Sequence, residues 1–130
     1  DSKTGFTLNK INFNSSIKPI ILNNFLFLIN NNSQLISLNL DNGKIIYSYD
    51  INQKISNFLK TKKKKIISKN MIILSDKIFI FLKNSYILKF DIYGNLEQID
   101  KLPKKLNSNP IFIDKSLIYV DFKNKVSVVN

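Results

Sequence analysis

Most of the side chains that carry enzyme chemistry are missing from this 130-residue chain, which has no histidine and no cysteine. That removes serine–histidine and cysteine–histidine nucleophile pairs, and zinc sites built from nitrogen and sulfur ligands. What remains is a net charge of +11, sharpest in the run Lys62, Lys63, Lys64 and Lys65. Four successive ammonium groups suit docking to an acidic partner or to anionic lipid headgroups, and in a chain this rich in lysine they also read as a solvated loop. All twenty basic residues are lysine. Lysine presents a hydrated point charge where nucleic-acid readers use the bidentate fork of arginine, so no nucleic-acid partner is implied. The absence of alanine, arginine and tryptophan beside abundant isoleucine and asparagine has the texture of AT-rich coding.

The elements that must hold these side chains repeat. PIILNNFLFLINNNSQLISL from Pro19, MIILSDKIFIFLKNSYILKF from Met71 and PIFIDKSLIYVDFKNKVSVV from Pro110 share one apolar template without a gap, at spacings of 52 and 39 residues. A period near 40 built from short apolar runs marks four-stranded propeller blades, whose units bury their faces only against neighbours. In the first repeat Pro19 to Leu22, Phe25 to Ile29, Gln34 to Leu40 and Lys44 to Ile51 read as strands, separated by asparagine- and glycine-rich turns such as Asp41-Asn42-Gly43. Runs such as Phe25 to Ile29 and Ile78 to Leu82 are apolar at every position, where a half-exposed strand would alternate, so these strands are expected to be buried on both faces. Asp76 and Asp114 recur at equivalent turn positions and read as turn formers rather than catalytic bases.

The fold expected is all-β: four-stranded antiparallel meanders forming an incomplete propeller fragment of about three blades. Residues 1–13 read as the last strand of a preceding blade, 14–53 as a blade, 54–68 as an insertion, 69–104 as a second blade and 105–130 as a partial blade. Within the insertion the spacing of Ile55, Phe58 and Leu59 predicts one or two helical turns before the lysines. The opening DSKTGFTLNK has no signal-peptide core, so the chain is expected to begin partway into a longer protein or to have lost a leader.

At LINNNSQLISLNLDNGKIIYSYDI the pattern resembles the PQQ-like repeat, an Asp-x-x-x-Gly-Lys-x-x-Trp turn and strand, matched here by Asp41, Gly43, Lys44 and Tyr47. The turn is one residue shorter, and tyrosine stands for tryptophan. Asp1 to Gly5 keeps the full-length turn but has Asn9 at the aromatic position. Within that superfamily the chain is most similar to the C-terminal blades of BamB-type outer-membrane assembly factors, in lysine- and asparagine-rich form as in AT-rich alphaproteobacteria. The resemblance implies a non-catalytic scaffold at the periplasmic face of the outer membrane. Its partners would be BamA-like periplasmic domains and unfolded outer-membrane proteins, and its membrane association would come only through a lipid anchor outside this segment. A ligand-binding or sensor propeller is the alternative. The superfamily's quinoprotein dehydrogenases need aromatic stacking, calcium and a carboxylate base; with no tryptophan here, no cofactor is expected.

Overall fold

The computed structural model describes residues 15, 17–103, 111–113, 116–120 and 123–129. Strands β1 (Ile20–Leu22), β2 (Phe25–Ile29), β3 (Gln34–Asn39) and β4 (Ile45–Asp50) form one antiparallel meander in sequential order. Strands β5 (Ser68–Leu74), β6 (Lys77–Leu82), β7 (Tyr86–Asp91) and β8 (Leu96–Lys101) form a second, and β9 (Ile111–Ile113), β10 (Ser116–Val120) and β11 (Val126–Val129) form a three-stranded sheet. One helix, α1 (Ile51–Leu59), joins the first sheet to the second. The all-β propeller architecture is therefore as the repeat predicts. Asp1 to Gly5, Asn9 and Asp114 lie outside the described residues.

The repeat persists in the strand register. Leu26 pairs with Leu38, Ile78 with Phe90 and Leu117 with Val129, equivalent pairs in three sheets. A β-bulge recurs too, beside Ser37 in the first sheet and at the equivalent Lys89 in the second, where it strengthens the twist of the last strand pair. The turns follow side-chain chemistry. Ser75 and Asp76 both have positive φ, as a two-residue hairpin between twisted strands requires, which places Asp76 as the turn former expected. Asn39 and Asp91, again equivalent, accept backbone N–H bonds two residues on, from Asp41 at 2.8 Å and Tyr93 at 2.9 Å.

Two-sided burial follows from stacking. Phe27, Ile29 and Leu35 of the first sheet pack against Ile78, Ile80, Leu88 and Phe90 of the second. The opposite face of the second sheet, including Phe79, Phe81 and Ile87, packs against Leu117 and Tyr119 of the third. The second sheet thus presents one residue parity to the first sheet and the other to the third. A polar latch crosses the first gap: Tyr47 and Tyr49 stack with ring centroids 5.1 Å apart, and the Tyr47 hydroxyl donates to the Ile92 carbonyl at 3.0 Å. Burial, then the nearby Asp91 carboxylate and the Tyr49 ring, push the Tyr47 phenol well above its ordinary value, so it stays protonated.

Gly94 closes the latch. Its φ is +86°, and a Cβ there would lie 2.6 Å from the Tyr49 ring and 3.0 Å from Tyr47. Gly94→Ala combines left-handed strain with a collision, and is expected to lower unfolding free energy by about 2–3 kcal/mol, read as an earlier chemical-denaturation midpoint. A midpoint unchanged from the parent would show that the tyrosine pair does not rest on this turn.

Candidate functional site

The lysine run sits in the connection between the first two sheets, and the helix that precedes it sets its position. Strand β4 was expected to run through Ile51; it ends at Asp50, and Ile51 opens α1. The reason is a cap: the Asp50 carboxylate accepts the Gln53 amide at 3.2 Å, satisfying a donor that the helix leaves free. The Asp-x-x-Gln spacing from Asp50 to Gln53 is the sequence signal for this start. The helical turns read from Ile55, Phe58 and Leu59 are present, but the buried stripe is Ile51, Asn52, Ile55 and Ser56, while Phe58 and Leu59 are about half exposed. Ile51 is sealed instead by the first sheet, its N–H donating to the Ser33 carbonyl at 2.9 Å.

The chain then returns over the helix. Lys60 takes the left-handed conformation at the C-cap, and the Ser56 hydroxyl donates to the Thr61 carbonyl at 2.6 Å. Buried Asn52 accepts the Ile66 amide at 3.2 Å, and the Lys83 amide donates to the Ile67 carbonyl at 2.9 Å. The lysine run is thereby pinned at both ends between α1 and the β6–β7 turn.

This path divides Lys62 to Lys65 between two openings. Lys63 and Lys65 line a polar hollow of about 420 Å³ with Asn31, Asn32 and Asp50. Lys62 and Lys64 line a smaller cavity of about 210 Å³, floored by Ile55, Ile66, Leu82, Leu88 and Ile99. The split is the period-two alternation of a non-helical backbone. Lys63 forms a salt bridge with Asp50. Partial burial pushes the Asp50 carboxyl up, but hydrogen bonds from Lys63 and the Gln53 amide, the Lys63 charge and the Asn52 amide outweigh it and hold the group below its ordinary value. Asp91 is held low in the same way: burial opposes, and the amides of Asn95 and Tyr93 with the Asn95 side chain and the Lys77 charge prevail.

The described residues do not fit a quinone–calcium centre. No three histidine, cysteine, aspartate or glutamate side chains among them come together to hold a metal ion. Asp50 and Asp91 spend their oxygens on a helix cap and a turn. The stacked tyrosine pair packs against the Gly94 turn, and the Lys54 ammonium lies over the Tyr49 ring, 3.9 Å from its centroid. No helix among the described residues is long and apolar enough to cross a membrane.

Sequential antiparallel meanders stacked face to face define the blades of a β-propeller fold. Among solved structures, BamB from Moraxella catarrhalis superimposes with a TM-score of 0.72 at 15% identity, over 98% of this chain and 35% of its own. Quinohemoprotein alcohol dehydrogenase from Comamonas testosteroni gives 0.56 at 12% identity, over 82% of this chain and 17% of its own. The computationally designed protein Ika8 gives 0.55 at 12% identity, over 85% and 31%. The chain therefore spans about a third of the length of the BamB structure it matches. No protein-family model and no curated protein sequence matches it.

The depressed carboxyls carry a pH signature. A folded-state value below the unfolded one stabilises the fold at pH above about 4, and that stability is lost as pH falls through the folded value. Urea denaturation between about pH 7 and 3 should show a declining midpoint below about pH 4, with a shallower decline in Lys63→Gln, which frees Asp50 to titrate nearer its ordinary value. Identical acid limbs for parent and variant would separate Lys63 from the cap.

Proposed function

We propose that the chain is part of a BamB-type scaffold, a propeller without catalytic activity that assists assembly of β-barrel proteins into the outer membrane from its periplasmic face. One observation carries this reading. The superposition on BamB takes in 98% of the chain at a TM-score of 0.72, whereas the quinohemoprotein dehydrogenases match 82% and 86% of it at 0.56. The dispersed carboxylates and the lack of histidine and cysteine support a binding role over a reaction. Partners on this reading are BamA-like periplasmic domains and unfolded outer-membrane proteins, held by the loops at the blade ends. Lys62, Lys63, Lys64 and Lys65 are the proposed contact to an acidic partner, and a lipid anchor outside this segment supplies membrane attachment.

The test is a pull-down of the full-length protein with the periplasmic domains of BamA from the same organism. Retention at moderate salt is expected. No association would overturn the assembly reading and favour a ligand-binding or sensor propeller.

A further inference from the structure

The cavity beneath Lys62 and Lys64 combines three properties that together describe a ligand. Its floor is apolar, made by Ile55 on α1, Ile66 on the return segment, and Leu82, Leu88 and Ile99 on the second sheet. Its mouth carries Lys62 and Lys64, both exposed and without a salt bridge among the described residues, and no acidic residue lines it. Its size, about 210 Å³, exceeds the roughly 150 Å³ cavity that takes one benzene ring and falls below the roughly 300 Å³ where small-molecule pockets begin. The space fits a single aromatic or branched aliphatic side chain, the scale of an interface anchor rather than of a cofactor.

We infer that this cavity is a docking site for an acidic peptide segment of a partner protein, which inserts one large apolar side chain onto the Ile55–Leu88–Ile99 floor while flanking carboxylates meet Lys62 and Lys64. The positive rim selects the sign of the partner's charge, and the size selects one side chain at a time. Leu59, half exposed, also lines the cavity and adds to its apolar contact. The backbone around the site is already ordered by the Asn52–Ile66 and Lys83–Ile67 bonds, so little conformational entropy is lost on docking. Lys63 and Lys65 line the other opening, with Lys63 already paired to Asp50, so within the four-lysine contact they lie outside this cavity. The inference stands on this cavity alone, so its failure would leave the scaffold assignment untouched.

Isothermal titration calorimetry of the full chain with the peptide acetyl-Glu-Glu-Phe-Glu-Glu-amide tests it. Saturable binding is expected, and replacing the central phenylalanine by alanine, at equal charge, should weaken it about tenfold or more, the worth of one buried aromatic side chain. Lys62→Gln with Lys64→Gln should weaken it about tenfold, whereas Lys63→Gln with Lys65→Gln, which removes the same charge, should change it less than about twofold. The two peptides report on the unaltered protein, so the result does not depend on either variant folding. Absence of binding, equal affinity for the two peptides, or equal loss in the two lysine pairs would each overturn the proposal. So would co-sedimentation with phosphatidylglycerol vesicles that depends on Lys62 and Lys64 while the peptide fails to bind, an outcome that assigns the rim to a membrane surface instead.

Discussion

Everything in this structure depends on sheets that are apolar on both faces and cannot be satisfied singly. A ladder hydrogen bond contributes about 1 kcal/mol net, while ordering one residue's backbone costs about 1–2 kcal/mol, so the meanders do not stand on their own pairing. Burying one Leu, Ile or Phe side chain contributes about 1.5–3 kcal/mol, and that term decides the balance. Ile78, Ile80, Leu88 and Phe90 are fully buried only because Phe27, Ile29 and Leu35 of the preceding sheet cover them. Their repeat equivalents in the third sheet, Leu117 and Tyr119, are buried by the second sheet in turn. The outward face of the third sheet shows the converse, with Ile111, Val126 and Val128 exposed.

Stacking also determines where function is placed. Because both faces of a sheet are occupied, side chains free to meet a partner are confined to the sheet ends and connections. One such end is unusually well tied. The residue after the last strand donates to the carbonyl of a left-handed serine in the first two blades, Ile51 to Ser33 at 2.9 Å and Leu102 to Ser85 at 2.7 Å. In the first blade this bond launches a capped helix, so the connection gains a rigid support for the lysines rather than a loose loop. The asparagine-rich composition serves the same end, since Asn30, Asn39, Asn42 and Asn84 each accept a backbone N–H two residues on.

The helix and the lysine run show how a local signal acquires meaning from its surroundings. As a string, Lys62 to Lys65 is one block of charge. In the fold, alternate lysines fall to opposite sides, one pair over an apolar floor and the other beside Asp50 and asparagine side chains. Charge repulsion among four neighbours is relieved by that separation and by the Lys63–Asp50 pair. Two openings of different chemistry therefore share one segment.

The sequence by itself determined the blades. Strand order and turn residues are local properties, written in gapless apolar runs and in asparagine, aspartate and glycine at positions of positive φ, and the pairs Leu26–Leu38, Ile78–Phe90 and Leu117–Val129 follow the same offset as the repeats. The presence of helical turns before the lysines was legible as well. Their true start at Ile51 was hidden, because Ile51 continues the apolar pattern of β4 and only the Asp50–Gln53 cap marks the change. Tertiary structure alone decided which apolar residues of α1 are buried, since Ile55 and Leu59 lie about one helical turn apart, yet Ile55 is buried and Leu59 is half exposed. It alone decided the Tyr47–Ile92 latch, which joins residues 45 positions apart. The cavity, too, arises where α1, the return segment and the second sheet converge, and a one-dimensional pattern carries no record of which distant faces meet.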